Sequence, residues 1–280
     1  MSDNPLIALP SGEKVAALGL GTWMMGERKN QRKEEVAALN LGLDLGLTLI
    51  DTAEMYANGG AEEVVAEAVA GCRDEAFIVS KVLPSNASMR GTIAACEKSL
   101  KRLKTDRIDL YLLHWPSNIP LAETVDGFTR LKHDGKIRHW GVSNFDAGEM
   151  EALFKIADGK ACATNQVLYN LNRRGIEYDL VPWSHKHRMP IMAYSPLDQG
   201  RLLHARALNE IAARHNATAA QLALAWLLTQ KNTIVIPKAG NEPHTRENAG
   251  ALGIRLSEAD RNALDRAFPP PGKKKPLEMI

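Results

Sequence analysis

Apolar residues recur along this chain with two alternating periods. Short continuous runs, Leu47-Thr-Leu-Ile50, Phe77-Ile-Val-Ser80 and Leu110-Tyr-Leu-Leu113, have the length and composition of strands buried on both faces. Between them the apolar positions fall at helical spacing. Val36, Leu39 and Leu43 share one face of a helix over residues 31–46, with Gly46 as its C-terminal cap. Residues 61–70 are rich in helix formers and stop at Gly71. Ile93, Cys96, Leu100 and Leu103 mark a third helix, and Val125, Phe128 and Leu131 a fourth that Gly135 ends. The alternation continues with strands at 139–143, 163–167, 190–194 and 233–236, and helices at 148–157, 176–187, 205–215, 244–250 and 258–268. An extra helix is expected at 219–228, ahead of the eighth strand.

Ala17-Leu-Gly-Leu-Gly-Thr22 reads as the first strand of the series, and residues 5–18 alternate about the turn Pro10-Ser-Gly-Glu13, which predicts an N-terminal β-hairpin. Eight β/α units without a Ser/Gly/Pro-rich linker predict an α/β fold, one (β/α)8 TIM barrel over residues 1–280, with extra helices near the C-terminus.

Three of the buried runs end in titratable side chains. Asp51 closes the second strand with Tyr56 in the loop beyond it, Lys81 follows the third, and His114 follows the fourth. The carboxyl ends of barrel strands are where such folds keep their chemistry. A phenol titrates near ~10, and a nearby ammonium stabilises its phenolate. Lys81 would therefore lower the Tyr56 value and make it an acid usable near neutral pH, with Asp51 keeping Lys81 charged. His114 would hydrogen-bond a substrate oxygen. A proton donor beside a cation suits a substrate oxygen on which negative charge develops.

Composition narrows the partners. With 35 basic and 33 acidic residues the net charge is +2, which gives no electrostatic case for nucleic acid or an anionic membrane. Cys72, Cys96 and Cys162 are odd in number and have neither disulfide-framework nor metal-ligand spacing. His185-Lys-His187 lies on a predicted helix far from the tetrad, so a metallohydrolase is not favoured and no metal is expected. The start of the chain lacks a basic-then-apolar leader, and no run is long enough to span a bilayer. The expectation is a cytoplasmic monomer whose partners are small metabolites.

The residues resemble the aldo-keto reductases from about Gly19 to Phe268. The likeness rests on Gly21-Thr-Trp23, Asp51 with Tyr56, Lys81, Leu113-His-Trp115, Gly141-Val-Ser-Asn-Phe145, Asn165-Gln166, Ala193-Tyr-Ser-Pro-Leu197 and Ile236-Pro-Lys238. The chain looks most like bacterial members that reduce methylglyoxal. The resemblance implies NADPH (NADP+) as cofactor, bound over the barrel mouth, and the tetrad Asp51, Tyr56, Lys81 and His114. It implies Ser143, Asn144 and Gln166 at the carboxamide, Tyr194 stacked on the nicotinamide, and Thr22 and Trp23 beside the same end. It further implies Ser195 and Leu197 at the pyrophosphate, Lys238 at the 2′-phosphate, and Glu247 and Asn248 at the adenine. Trp23 and Trp115 would wall the substrate pocket.

The chain departs from the family pattern at Ala239, usually a serine, and at His244, usually an arginine, while Arg246 lies close by. The loops after His114 and Tyr194 and the C-terminal tail look short, which predicts an open pocket, and Lys273-Lys-Lys275 reads as a solvated tail. The alternative function is a nicotinamide-nucleotide sensor with little turnover.

Overall fold

A computed structural model describes residues 4–280. The chain begins with β1 (Leu6–Ala8) and β2 (Lys14–Ala16), an antiparallel hairpin turned at Gly12, whose φ of 89° requires glycine. The series then runs β3 (Leu20–Gly21), α1 (Arg32–Asp44), β4 (Leu49–Asp51), α2 (Gly60–Ala68), β5 (Phe77–Val82) and α3 (Met89–Leu103). It continues through β6 (Ile108–Leu113), α4 (Leu121–His133), β7 (Ile137–Ser143), α5 (Ala147–Leu153), β8 (Asn165–Leu168) and α6 (Leu180–Lys186). The last elements are β9 (Ile191–Tyr194), α7 (Arg206–Arg214), α8 (Ala219–Leu228), β10 (Thr233–Val235), α9 (Glu242–Gly250) and α10 (Glu258–Ala267).

Strands β3 to β10 are parallel and adjacent in chain order. The sheet closes on itself: Gly19 N donates to Val235 O at 2.8 Å, Val235 N to Ala17 O at 2.7 Å, and Gly21 N to Pro237 O at 2.9 Å. This is the barrel the alternation predicts. Closure leaves no free sheet edge.

Side-chain alternation along the strands then divides the core in two. Leu49, Phe77, Val79, Leu110, Leu112, Met192, Ile234 and Ile236 fill the lumen, joined from below by Leu9, Val15 and Ala16 of the hairpin. Their strand neighbours Ile50, Ile78, Tyr111, Leu113, Trp140 and Val142 point outward into the layer beneath the helices. Phe128 of α4 stacks on Trp140 and meets Tyr111 edge-on, at centroid distances of 5.3 and 5.9 Å. Glu13 of the hairpin pairs with Arg138 at 2.6 Å and His139 at 2.7 Å, which fastens the plug to β7.

One assignment changes after β9. The sequence pattern assigns the helix at 205–215 to the barrel and treats 219–228 as extra. In the structure α8 lies against β10 and α9, whereas α7 packs on α8 and α10 outside the ring. The physical reason is composition: in α8 all but Gln221 and Leu228 are buried, while α7 buries only Leu208, Ile211 and Ala212. Asp260 of α10 ties the outer pair together through Arg214 and His215, each at 3.0 Å.

Candidate active site

The same alternation that fills the lumen sets the site. Asp51 is two residues beyond Leu49, Lys81 two beyond Val79, His114 two beyond Leu112, and Tyr194 two beyond Met192, so each tops an inward-facing column. Ser143 and Gln166 are partners in register on β7 and β8, and Gln166 is also level with Met192. A cleft of about 380 Å³ opens above them.

Lys81 is fully buried, and its three ammonium protons have three acceptors: Asp51 Oδ2 at 2.8 Å, Thr52 O at 2.8 Å and Tyr56 Oη at 3.3 Å. Asp51, also buried, takes its second hydrogen bond across the lumen from Gln166 Nε2 at 2.7 Å. The Tyr56 and His114 rings meet edge-on at 5.8 Å, and His114 lies 4.9 Å from the Trp115 ring. The four residues expected from sequence are therefore gathered at one point.

Their electrostatics differ from the expectation in one respect. Burial raises the Tyr56 phenol above its ordinary value; Lys81 pulls it down and Asp51 pushes it up, and burial prevails. Lys81 thus does not turn Tyr56 into a near-neutral acid in the resting site. Its ammonium instead lies beside the phenol oxygen, at 3.3 Å. Burial, then repulsion from Lys81, lowers the His114 imidazole to about 2. Its ring is neutral, and Nδ1 is buried without a partner. Burial also raises Asp51 despite Lys81, while Asp51 and Tyr56 outweigh burial to raise Lys81, so the ammonium keeps its charge.

The residues expected at a cofactor fall into two groups. Trp23, Ser143, Asn144, Gln166, Tyr194, Ser195 and Lys238 line the cleft, as does Trp115. Thr22, Leu197, Glu247 and Asn248 do not. Thr22 is fully buried and gives its hydroxyl to Asp51 O at 3.0 Å, so it supports the carboxylate's strand. Leu197 packs against the core beneath the loop, and Glu247 and Asn248 lie on α9.

Among the lining amides, Asn144 is engaged at both ends: it donates to His114 O and Ser143 Oγ and accepts from Tyr194 Oη at 2.9 Å. Gln166 Oε1 has no hydrogen bond, since both Gln166 contacts use Nε2. Lys238 is exposed and forms no ion pair among the described residues. A carboxamide acceptor, an aromatic face at Tyr194 and an unpaired cation along one cleft suit a nicotinamide nucleotide carrying a phosphate.

Several site residues escape the sequence reading. Met55, Pro196, Gln199, Ile236, Met279 and Ile280 also line the cleft. The last two belong to the tail, which runs back along the cleft with both side chains exposed. Lys274 pairs with Asp179 at 3.0 Å, Glu278 pairs with Arg173, and Ile280 reaches the Tyr194 phenol. The three lysines themselves are solvent-exposed, as expected.

Asp198, unexplained in the sequence, is buried. It accepts from Asn172 Nδ2 at 3.0 Å and faces Arg173 and Arg201 at 3.7 and 3.4 Å. It pins a loop with positive φ at Ser195, Asp198 and Gln199, values of 46°, 49° and 54°. Such conformations cost energy in non-glycine residues and persist only where surrounding bonds enforce them. No local sequence signal marks Asp198 or the tail, whose partners are distant in the chain.

Comparison with known proteins agrees with this geometry. The sequence profile of the aldo/keto reductase family matches residues 17–268. Methylglyoxal reductase YeaE of Escherichia coli (strain K12) is 52% identical over 280 residues, covering 98% of this chain and 99% of that protein. Glyoxal reductase of Bacillus subtilis (strain 168) is 36% identical over 259 residues, covering 92% and 91%. A crystal structure of an aldo/keto reductase from Klebsiella pneumoniae in complex with NADP and acetate superposes with a TM-score of 0.97 at 51% identity, covering 99% of this chain and 100% of that one. The chain belongs to the aldo/keto reductase family.

Proposed function

We propose that the protein reduces small aldehydes and α-dicarbonyls, methylglyoxal among them, to alcohols with NADPH. The observation that carries this reading is the buried Asp51–Lys81–Tyr56 chain, with Tyr56 and His114 side by side on the cleft. When bound, the nicotinamide supplies the hydride, which no side chain can donate. Tyr56 Oη gives its proton to the carbonyl oxygen as negative charge develops there. Lys81 stabilises the phenolate left behind, so its charge acts mainly in the transition state. Neutral His114 fixes the direction of the substrate oxygen. Asp51, held by Gln166, keeps Lys81 charged and aimed.

In this reading Ser143, Asn144 and Gln166 take the carboxamide, Tyr194 stacks on the nicotinamide, and Ser195 approaches the pyrophosphate. Lys238 takes the 2′-phosphate, with the exposed side chains of His244 and Arg246 on α9 nearby. Buried Ala239 contributes no hydroxyl there. Glu247 and Asn248 remain assigned to the adenine, beyond the cleft lining. The setting proposed is a cytoplasmic monomer made of a single barrel domain. The balanced charge supports small-molecule partners rather than nucleic acid. Among the described residues no helix is long and apolar enough to cross a membrane. A nucleotide sensor with little turnover finds no support, since relatives 52% and 36% identical to this chain are reductases.

The test is NADPH consumption with methylglyoxal, with NADH run in parallel. Tyr56→Phe should lower kcat at least about 100-fold, the size of a lost general acid, with NADPH binding retained. A variant keeping most of the wild-type rate refutes the donor assignment, and equal efficiency with NADH refutes the preference for NADPH.

A further inference from the structure

Glu54 stands between Asp51 and Tyr56 but has no hydrogen bond to either side chain. Its carboxylate is half-buried, and no cation pairs with it among the described residues. Its hydrogen bonds go to the segment that follows the neighbouring strand, β5. Oε1 accepts from Leu83 N at 2.7 Å and from Asn86 Nδ2 at 3.0 Å, and the Glu54 N–H points back to Lys81 O at 3.4 Å.

Leu83 is the residue after β5, two beyond Lys81. One carboxylate therefore clamps the segment just before Tyr56 to the segment just after Lys81. A third loop joins the same turn: Ser117 Oγ, in the loop that follows His114, donates to Pro84 O at 2.9 Å. The Pro84–Asn86 turn, held on one side by Glu54 and on the other by Ser117, thus connects the loops that carry Tyr56, Lys81 and His114.

We propose that Glu54 is a positioning residue for carbonyl reduction, which sets the separation of the Tyr56 phenol from the Lys81 ammonium by clamping the β4 and β5 loops together. The proposal rests on the reading of Tyr56 as proton donor. That separation is 3.3 Å, and it is the only one of the three Lys81 contacts made by a loop residue outside the Asp51–Thr52 strand end. Attraction between a forming phenolate and the ammonium varies inversely with distance. Lengthening the contact by about 1 Å removes roughly a quarter of it, enough to slow proton transfer roughly 3- to 8-fold. The titratable groups facing Tyr56 are Lys81 and Asp51 below it, His114 from β6 and Tyr194 from β9. Of these, Asp51 on β4 and Lys81 on β5 sit on the elements that Glu54 fastens, and His114 and Tyr194 do not.

The experiment measures kcat, KM for methylglyoxal, NADPH affinity by fluorescence, melting temperature and the pH dependence of kcat. It uses Glu54→Ala, Glu54→Gln and Asn86→Ala, with Tyr56→Phe alongside. Glu54→Ala should lower kcat roughly 3- to 8-fold and move the alkaline fall of kcat to higher pH, because a phenolate farther from its cation is harder to form. NADPH affinity should stay within about twofold, since no Glu54 contact faces the cofactor side of the cleft. Glu54→Gln keeps an oxygen acceptor and should recover most of the rate. Asn86→Ala, which removes half of the clamp, should shift both quantities in the same direction by a smaller amount, and it decides the matter if Glu54→Ala does not fold.

A wild-type kcat and pH profile in Glu54→Ala overturns the proposal. So does a loss of rate that tracks only the fraction of folded enzyme. If Tyr56→Phe retains its rate, the donor assignment itself is wrong. If Tyr56→Phe is inactive and the Glu54 variants are normal, only the clamp is.

Discussion

Replacing Lys81 by methionine separates two roles that the buried ammonium combines. Methionine nearly matches the lysine stem and removes the charge, leaving Asp51 with Gln166 Nε2 as its remaining side-chain donor. Breaking one side of a buried ion pair costs about 3–5 kcal/mol, because the other charge stays desolvated. For a chain of this size that is a fall in Tm of roughly 5–9 °C.

The catalytic loss has a different origin. At the 3.3 Å between Lys81 Nζ and Tyr56 Oη, a full phenolate would gain about 5 kcal/mol at an effective dielectric of ~20. Half-complete proton transfer would realise about half of that, so kcat should fall between roughly 10²- and 10⁴-fold. The double variant Asp51→Asn/Lys81→Met discriminates between the roles. The asparagine side chain introduced there has no charge to bury and still accepts from Gln166, so Tm should recover most of its loss while kcat does not. Thermal melts and NADPH consumption with methylglyoxal measure both. A double variant within about tenfold of the wild-type kcat would refute the claim that Lys81 stabilises the phenolate.

Three further outcomes follow from the same side chains and the tail. Tyr56 must be protonated to act, and burial raises its pKa, so reduction should be flat from roughly pH 6 to 9 and decline only at higher pH; a fall through about pH 6.5 would point to His114 as the acid. His114 is lowered to about 2, so the stability it contributes is complete above its ordinary value and is lost as the pH falls from there toward about 2. Urea unfolding at pH 7 and 5 should therefore separate the wild type from His114→Gln by about 2 kcal/mol more at pH 7 than at pH 5, and an unchanged difference would contradict the shift. Ending the chain at Glu278 removes Met279 and Ile280 from the cleft and should raise KM for an apolar aldehyde such as benzaldehyde roughly 3–10-fold, the size of a partial apolar contact. NADPH affinity in that variant measures whether the effect is confined to the substrate side.

The legible parts of this protein are those governed by local period. Strand alternation places Leu49 and Asp51, Val79 and Lys81, Leu112 and His114 on one face in pairs, so the gathering of Asp51, Lys81 and His114 at one end of the barrel can be read from the chain alone. The ring position of α8 is less legible, because two consecutive helices compete for one place and only the depth of burial decides. Glu54 and Asp198 are opaque for another reason. Each is an acidic residue in a loop, which in sequence reads as solvated, and each acquires partners about 26 to 32 positions away. The course of the tail depends on still longer reach, with Arg173 and Glu278 separated by 105 residues. The sign of the Tyr56 shift escapes a sequence reading because charge proximity is inferable from a motif whereas desolvation is not.

The folded-back tail has a practical consequence. Any peptide joined after Ile280 would emerge at the lip of the cleft, beside Tyr194, and would have to thread past the substrate entrance. An affinity tag placed there would compete with what the enzyme is meant to bind, and kinetic constants from such material would describe the fusion. The amino-terminal side carries no such risk: Asn4 is tied to Leu18 and Gly46 beside the hairpin, which plugs the opposite end of the barrel.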